Sequence, residues 1–580
     1  METWAVVNEA LVRKALAEFT HERILDPVAD GNEYSVGRYR FTARQYPLNH
    51  WDISSVVRDD GRPVDALDFI TEFHEQLGIG REMLPVYLEE ISSTLASAAY
   101  KLSKPDLTAA ELVDADFQTI EAAMTEGHPC FVANNGRLGF GLTDYLAYAP
   151  ETGAGVQLTW IATRRDRTAV SCSSSLTFDA LQRSELGEDV LERFAALADP
   201  GEYVYMPVHP WQWDNKTSVT FAADIAQRHI VHLGSTDDIY QPQQSIRTFF
   251  NRSAPARCYV KTALSVLNMG FMRGLSPSYM AATPAINDWV HSVVANDVVL
   301  KRYGFTVLRE IAAVGYHNRY YENATDKTSP YRKMLSALWR ESPVPALEPG
   351  ERLATMASLL HVDRHGASLA AALVRASGLA PADWVRAYVD AYLIPLLHSF
   401  YAYELVFMPH GENLILVLRD AIPIRVIMKD IAEEIAVLSP STPVPVEAER
   451  VRADVPDDEK LLSIFTDVFD CIFRFLAPLL DREELLSVDD FWSVVASSIR
   501  DYQSATPELA EAFAKYDVFA PSFALSCLNR LQLRNNRQMV DLTDVSGSLQ
   551  YAGTLENPLA PHPRGGTGGL RQEMGSPDRK

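Results

Sequence analysis

A short polar turn between two apolar runs, late in the chain, constrains the fold more than any other feature. The runs LILVL and IPIRVIM flank residues 419–421, and this pattern predicts an antiparallel β-hairpin. Residues that face each other in a hairpin lie equally far from its turn. With the turn centred near Asp420, we expect Asp430 to lie opposite His410 and close to Asn413.

The open end of this predicted hairpin collects polar groups. Glu412 lies between His410 and Asn413, and Asp430 returns beside them. Amide and carboxylate oxygens suit Mg²⁺, which keeps several waters and takes other ligands from nucleotide phosphates. Asn413 and Asp430 are therefore candidate metal ligands. The alternative is a solvated hairpin end whose polar side chains only face water.

The overall charge limits the partners of the chain. The 580 residues carry a formal net charge of -23. This charge repels phosphate backbones, so we expect no nucleic-acid partner, and ATP would need a local basic pocket and a metal ion. The five cysteines form no CxxC pair, and we find neither a signal peptide nor a long uncharged apolar run. A cytoplasmic protein without a membrane partner is expected.

Hydrophobic periodicity predicts an α+β fold in three parts. Residues 1–105 show helical spacing with two short strand-like runs, residues 106–355 mix both patterns, and residues 356–560 are largely helical. The Pro-rich stretch 342–351 marks the second boundary. The polar, Gly/Pro-rich residues 561–580 predict a disordered tail. In the middle part, strand composition falls in CFVANNGRLGF, VQLTWIAT, EYVYMPVHPWQW, RHIVHLG and ARCYVKTAL.

The middle part also supplies the cations that an anionic substrate needs. Ser245 and Thr248 flank Arg247, and hydroxyls beside a guanidinium can hold phosphate or carboxylate oxygens. Lys261 and Arg273 bound a long apolar stretch, where a charge is costly unless it is paired or faces a pocket. The alternatives are a surface turn for the first segment and distant carboxylate partners for the second.

Two earlier segments are less specific. Asn-Asn-Gly at residues 134–136 predicts a turn, and Arg137 follows it directly. Gly-His-Pro at residues 127–129 precedes that turn. The rigid, aromatic run MPVHPWQ at residues 206–212 favours a structural role over a catalytic one.

Taken in order, these segments resemble the IucA/IucC family of NRPS-independent siderophore synthetases. The order is Gly-His-Pro with Arg-x-Gly-Phe, His-Pro-Trp-Gln, Ser-x-Arg-Thr, Lys-x11-Arg, and His-Gly-x-Asn with a following Asp. Each motif is modest alone, but five in one order across nearly the whole chain are specific. The run VKTALSVLNMGFMRGLSPSYMAATPAINDWV is similar to the desferrioxamine branch in particular.

The resemblance implies a cupped hand with a thumb (1–105), fingers (106–355) and a palm (356–560), and with ATP and Mg²⁺ bound between fingers and palm. Members of the family adenylate a carboxylate, release pyrophosphate and join the acyl group to an amine. Desferrioxamine-type members couple N-hydroxy-N-succinyl-cadaverine to itself and close a macrocycle. A homodimer that takes small hydroxamate substrates is the matching expectation.

Carried over to matching positions, the resemblance implies that Asn413 and Asp430 bind Mg²⁺. Lys261, Arg273 and His410 are the implied catalytic residues, and Ser245, Thr248 and Arg273 would also meet the substrate. The implied ATP-binding residues are Arg137, Ser245, Arg247, Thr248, Lys261, Arg273, His410, Glu412, Asn413 and Asp430.

The sequence also departs from the family pattern. Relatives often carry a second His-Pro and a Lys where this chain has Phe131, Val132 and Asn135, and a Gln where it has Glu412. Met269 replaces a common Thr. With its apolar neighbours at 271 and 272, Met269 makes a less polar substrate wall, which favours a longer substrate with one free carboxylate.

Two other functions remain open. A kinase-like small-molecule phosphotransferase would share the His-Gly-x-Asn segment and the following Asp, but an early Gly-rich loop and Lys strand are missing. A non-catalytic carrier of a metal chelate would need no triphosphate site. Nucleotide products separate the first alternative, and the effect of Mg-ATP on thermal stability separates the second.

Overall fold

The computed structural model describes residues 2–105, 107–124, 126–539 and 549–560. Within them, helices and mostly antiparallel sheets alternate, which confirms the predicted α+β class. The predicted tail at 561–580 lies outside the described residues. No helix in the described part of the chain is long and apolar enough to cross a membrane.

The first part combines three helices with a small sheet. Its four strands form an antiparallel meander in chain order, which confirms the two predicted strand regions. The long first helix packs on this sheet and on the third helix, and their apolar faces share one core. The helices are Glu2–His21, Ala66–Phe73 and Leu84–Ser103, and the strands are Val28–Asp30, Glu33–Val36, Tyr39–Tyr46 and His50–Arg58.

The middle part contains a six-stranded antiparallel sheet. In spatial order its strands are Thr168–Cys172, Glu310–Tyr316, Ser336–Arg340, Tyr259–Thr262, Thr248–Asn251 and Tyr240–Pro242. A smaller sheet has the order Tyr203–Val208, Thr159–Arg164 and Ile230–Ser235, and Leu267–Asn268 pairs with Phe271–Met272. The main helices here are Phe117–Ala123, Leu142–Tyr148, Phe178–Leu186, Glu188–Ala195, Thr283–Asn296 and Val298–Arg302.

One strand prediction in the middle part is wrong. The run CFVANNGRLGF forms a loop, which pairs only through an isolated bridge between Leu138 and Leu267. Its apolar residues Phe131 and Val132 are buried without belonging to a sheet. Burial alone therefore produced the strand-like composition.

The last part is dominated by helices around the hairpin. A four-stranded sheet has the order Thr306–Val307, Ile422–Met428, Leu414–Arg419 and Glu351–Thr355, and Leu405–Phe407 pairs with Ile435–Val437. Ser522–Ser526 pairs with Tyr551–Glu556. The helices are Leu369–Ser377, Pro381–Tyr403, the π-helix Phe465–Phe473, Arg474–Arg482, Val488–Ala505, Ala510–Lys515 and Leu528–Arg534.

The largest apolar core joins segments from all three predicted parts. Leu48 from the first part and Ile286 and Val290 from the middle part are buried in it with the helix Pro381–Tyr403. The strand Thr306–Val307 also pairs in parallel with the returning strand of the hairpin. The middle and last parts are thus held together by one core, although the three-part division itself stays a prediction.

Candidate active site

One face of the six-stranded sheet carries charged and polar side chains. Thr248 is directly opposite Lys261, and Arg340 is opposite both Tyr259 and Glu310. Side chains that are directly opposite, or two apart on one strand, project from the same face of a sheet. The strand register therefore sets Thr248, Lys261, Arg340 and Glu310 on a single face.

The predicted hairpin is confirmed, but its register differs from the prediction. Asp420 and Ala421 both have positive φ and form a two-residue turn, and a bulge follows between Val417 and Leu418. Each feature shifts the register by one residue. The pairing of Leu414 with Met428 therefore continues toward residues 412 and 430, and the expectation that Asp430 faces His410 is wrong.

The sheet face and the hairpin end meet through ion pairs. Lys261 Nζ lies 2.6 Å from Asp430 Oδ1 and also contacts Glu433. Arg340 bridges Glu310, at 2.9 Å, and Asp430. These contacts join the middle of the chain to its late hairpin at one charged junction.

Neighbouring charges together affect the pKa values of Asp430 and Lys261 more than burial does. Burial opposes the ionised form of Asp430, but the charges of Arg340 and Lys261 hold the pKa of its carboxyl well below the usual range. Burial likewise disfavours the charged form of Lys261, and Asp430 and Glu433 raise its pKa instead. Both groups are therefore charged at neutral pH.

Arg247 and Arg273 lie beside this junction. Arg247 donates from Nη1 to the carbonyl oxygens of Arg273, at 3.1 Å, and Gly274, at 2.8 Å, and its Nη2 lies 3.6 Å from Glu433. Arg273 donates from Nη2 to Asn268 Oδ1 at 2.7 Å. Among the described residues, the buried Nε atoms of both arginines have no hydrogen-bond partner. Spare guanidinium donors beside this junction fit an anionic ligand.

Burial perturbs the guanidinium of Arg273 more than any neighbouring charge does. Burial, followed by the charge of Arg247, lowers the pKa of its guanidinium to about 10. The acidic residues Glu412, Glu434 and Glu433 offset part of this effect. A phosphate or carboxylate placed beside Arg273 would relieve the same penalty.

Three residues with strained backbones surround the cleft. Ile246 has φ of 58°, Met269 of 49° and Asp430 of 60°. Positive φ is costly for residues with side chains, most of all for a β-branched residue such as Ile246. Each strained residue is in or next to a segment with predicted ligand-binding residues.

A single helical turn, Gly411–Asn413, precedes the first strand of the hairpin. His410 caps this turn, and Glu412 and Asn413 lie within it. His410 Nε2 lies 3.6 Å from Glu434. Burial lowers the pKa of His410, but the hydrogen bond and the charge of Glu434 outweigh this effect, so the pKa is raised. The side-chain amide of Asn413 donates to the carbonyl oxygen of Met408 at 2.9 Å and to Glu434. Gly411 packs so closely on Ala357 that an added Cβ would lie 2.8 Å from its Cα.

The remaining predicted residues differ in their placement. Ser245 Oγ donates to Thr248 Oγ1 at 2.9 Å, so these hydroxyls form one pair beside Arg247. The backbone N–H of Met269 donates to Glu90 of the third helix at 2.9 Å. Met269 thus lines the same turn that carries Asn268 and leads to Arg273.

Arg137 pairs with a buried carboxylate, Glu151, rather than with the residues of the ion-pair junction. Its guanidinium makes two hydrogen bonds to Glu151, at 2.7 and 2.9 Å, and both side chains are buried. The fork is therefore already neutralised in this structure. Contact of Arg137 with ATP stays a prediction, and it would require Glu151 to release one of these bonds.

Sequence reasoning missed several residues of the junction. Glu433 and Glu434 follow Asp430 closely in KDIAEEI, so their proximity was a usable signal. Arg340 ends the apolar run SALWR, a pattern similar to that which drew attention to Lys261. Glu310 had no local signal, because only the pairing of its strand with that of Arg340 brings it in.

The metal prediction is compatible with this arrangement. Among the residues that the structure describes, no group of three or more His, Cys, Asp or Glu side chains could hold a metal ion by itself. Mg²⁺ needs few protein ligands when nucleotide phosphates and water supply the others. Asn413 and Asp430 offer the oxygen chemistry, and their roles as metal ligands stay predictions.

Comparison with known proteins gives the family. A profile of the IucA/IucC family matches residues 116–361, and one described as ferric iron reductase FhuF-like transporter matches residues 382–541. Putrebactin synthase of Shewanella sp. (strain MR-4) is 52% identical over 96% of this chain and 92% of its own. The rhizobactin siderophore biosynthesis protein RhbF of Rhizobium meliloti (strain 1021) is 32% identical over 96% of both chains.

A solved structure agrees in fold. Aerobactin synthetase IucC from a hypervirulent pathotype of Klebsiella pneumoniae superposes with a TM-score of 0.85 at 28% identity, covering 96% of this chain and 98% of the other. Together with this fold, the named relatives identify an acid–amine ligase of siderophore biosynthesis. The chain belongs to the IucA/IucC family of NRPS-independent siderophore synthetases.

Proposed function

We propose that the chain uses Mg-ATP to activate a carboxylate as an acyl-adenylate and then transfers the acyl group to an amine. The observation that carries this proposal is the convergence of Arg247, Lys261 and Arg273 with the acidic end of the late hairpin. Two kinds of group meet at this junction. The cations can neutralise phosphate, and the oxygen ligands can hold Mg²⁺. Adenylation needs both.

The reaction has two steps. A carboxylate oxygen of the substrate attacks the α-phosphorus of ATP, and the bond from that phosphorus to the bridging oxygen breaks to release pyrophosphate. An amine then attacks the acyl carbon. The C–O bond to AMP breaks with its electron pair, the amine loses a proton, and an amide remains. Mg²⁺ supplies charge neutralisation on the phosphate oxygens.

The ion pairs of Lys261 suggest how the site would receive ATP. Lys261 contacts both Asp430 and Glu433. Triphosphate oxygens would compete for Lys261 and thereby leave Asp430 to share Mg²⁺ with Asn413. Arg273 would stabilise charge that develops at the reacting phosphorus, and His410 with Glu412 would line the nucleotide.

The hydroxyl segment completes the proposed reaction centre. Ser245 and Thr248 would contact the phosphates and the activated carboxylate beside Arg247, because their hydroxyls bond to each other and the two residues flank Arg247 in the chain. Arg137 is a further proposed phosphate contact. Met269 would contact the substrate rather than ATP.

For the substrate we propose an N-hydroxy-N-succinyl-diamine, with N-hydroxy-N-succinyl-cadaverine as the first candidate. Repeated coupling and ring closure would give a desferrioxamine-type hydroxamate siderophore. The apolar wall of Met269 and Phe271 supports a chain with one carboxylate over a small tricarboxylate. A relative named putrebactin synthase supports a siderophore product and keeps the diamine length open.

Product mass spectrometry tests this proposal. The protein is incubated with Mg-ATP and N-hydroxy-N-succinyl-diamines that differ only in diamine length. We expect amide-linked oligomers and rings from the preferred length, together with AMP and pyrophosphate. ADP as the nucleotide product would favour a phosphotransferase. An unchanged melting temperature with Mg-ATP would favour a non-catalytic carrier, because a ligand that binds the folded state raises its stability.

The setting of the enzyme is part of the same proposal. A cytoplasmic location fits an ATP-dependent ligase, and the five cysteines are free thiols in the structure. We also propose a homodimer that binds no nucleic acid. Sedimentation of the purified protein across a range of concentrations tests the assembly.

A further inference from the structure

The third helix of the chain contacts a tight turn that leads to Arg273. This helix is Leu84–Ser103, and its Glu90 is buried. Glu90 Oε1 accepts a hydrogen bond from the backbone N–H of Met269 at 2.9 Å. Met269 and Gly270 form the tip of a two-residue turn between paired strands, and both have positive φ. Because positive φ is unfavourable for a residue with a side chain, this hydrogen bond helps to hold the turn in its strained form.

The residue before the tip of the turn holds the guanidinium of Arg273. Asn268 is buried, and both ends of its side-chain amide are used. Its Oδ1 accepts from Arg273 Nη2, and its Nδ2 donates to the carbonyl oxygen of Gly136, each at 2.7 Å. A neutral amide therefore orients the guanidinium and leaves its positive charge available to an anionic ligand.

The same helix also packs against the loop at residues 134–138. An added Cβ on Gly136 would lie 2.0 Å from Glu90 Cγ, so only a glycine fits there. One turn further along the helix, Ser93 Oγ accepts the backbone N–H of Arg137 at 3.0 Å. One face of the helix thus contacts both the loop that holds Asn268 and the turn that carries it.

The protonation state of Glu90 suits a fixed link. Burial raises the pKa of its carboxyl to about 8, and hydrogen bonds with the charge of Arg273 offset this only in part. The carboxyl is therefore mostly protonated at neutral pH, and its carbonyl oxygen still accepts the Met269 N–H. A neutral carboxyl does not compete with an anionic ligand for the charge of Arg273. Glutamine has a similar shape and the same acceptor.

We infer that Glu90 is a positioning residue for the adenylation step. Glu90 fixes the turn at Met269, and Asn268 in that turn orients the guanidinium of Arg273. Glu90 contacts neither ATP nor the substrate and acts only through Arg273. This inference rests on the proposed function, in which Arg273 stabilises charge at the reacting phosphorus. It gives the thumb a role in the geometry of the reaction centre.

Substitutions at both ends of this link test the inference. Glu90→Leu removes the acceptor with little change in volume, and Glu90→Gln keeps it. Glu89→Leu is the control, because Glu89 is exposed on the same helix. Asn268→Ala breaks the other end of the link. The assay is exchange of labelled pyrophosphate into ATP that depends on an N-hydroxy-N-succinyl-diamine, and thermal melting confirms that each variant is folded.

We expect Glu90→Leu and Asn268→Ala each to lower the exchange rate roughly tenfold or more, because a misplacement of about 1 Å can cost about 10²-fold. Glu90→Gln should recover most of the rate, and Glu89→Leu should not change it. The double variant of Glu90→Leu with Asn268→Ala should be about as slow as the slower single variant, since both changes break one link. Two independent losses of stability would instead multiply.

The outcomes are distinct. Loss of exchange in Glu90→Leu, its recovery in Glu90→Gln and a double variant without a multiplied effect support the inference. Wild-type exchange in folded Glu90→Leu, an equal loss in Glu90→Gln, or effects that multiply overturn it. If Glu90→Leu fails to fold, Glu90→Met takes its place with the same expected results. Absence of exchange in the wild-type protein overturns the proposed function itself and, with it, this inference.

Discussion

Lys261 Nζ lies 2.6 Å from Asp430 Oδ1, although 169 residues separate them in the chain. This pair joins the central sheet to the late hairpin and brings candidate phosphate-binding cations to candidate metal ligands. The buried lysine needs a counter-charge, and so do the acids around it. The cations and the acids of this junction thus serve as counter-charges for each other.

Arg273→Ala should abolish acyl-adenylate formation. The guanidinium has an unpartnered donor and is buried near Arg247. We therefore expect it to stabilise the negative charge that develops in the transition state. Loss of one such donor typically costs about 10²–10³ in rate. Carboxylate-dependent exchange of labelled pyrophosphate into ATP measures it. The exposed Lys301→Ala is the charge-matched control, and near-normal exchange in Arg273→Ala would contradict the assignment.

Asp430→Asn should weaken the response to magnesium. The substitution removes a metal-binding charge and leaves Lys261 and Arg340 with less counter-charge. We expect the midpoint of a magnesium titration of activity to rise about tenfold, which corresponds to about 1.4 kcal/mol. Asp420→Asn, at the exposed turn of the same hairpin, should behave as wild type. A superimposable titration for Asp430→Asn would rule out its role as a ligand.

Gly411→Ala should disturb the loop that carries His410 and Glu412. The new Cβ would lie 2.8 Å from Ala357 Cα and 3.0 Å from its backbone nitrogen, so backbone must move. Overpacking of this kind costs about 1–3 kcal/mol. We expect a lower free energy of unfolding and a larger loss of adenylation. Gly80→Ala is the control, because its Cβ would meet nothing within 4 Å; equal behaviour of the two variants would refute the packing argument.

Glu90 should make the stability of the protein depend on pH. Burial raises the pKa of its carboxyl to about 8, and hydrogen bonds from Asn536 and Met269 and the charge of Arg273 only partly offset this. A pKa raised in the folded state adds stability that is complete below the unfolded value. That stability is lost as pH rises toward 8, at up to about 1.4 kcal/mol per pH unit.

Denaturant unfolding from pH 5 to pH 8 measures this effect. We expect the stability advantage of the wild type over Glu90→Gln to shrink as pH rises, because Gln does not titrate. A difference between the two proteins that stays constant over this range would show that Glu90 is already ionised in the folded state.

The sequence of the hairpin predicted its strands but not the pairing between them. The apolar runs and the polar turn predicted both strands, because hydrophobic burial acts on local patterns. The register was wrong by two residues, since the conformation of the turn at Asp420 and the bulge after Val417 leave little trace in composition. Asp430 still reached the cleft, but its partners are Lys261 and Arg340 rather than His410.

The family and the set of candidate cations follow from the order of short motifs along this sequence, because those motifs carry chemistry that few folds share. Tertiary structure alone decided which charges meet. Strand register placed Arg340 and Glu310 at the charged junction. The buried carboxylate of Glu151 occupies the guanidinium of Arg137. The physical reason is that ion pairing depends on distances of a few ångströms between remote segments, whereas sequence pattern reports only local burial and turn geometry.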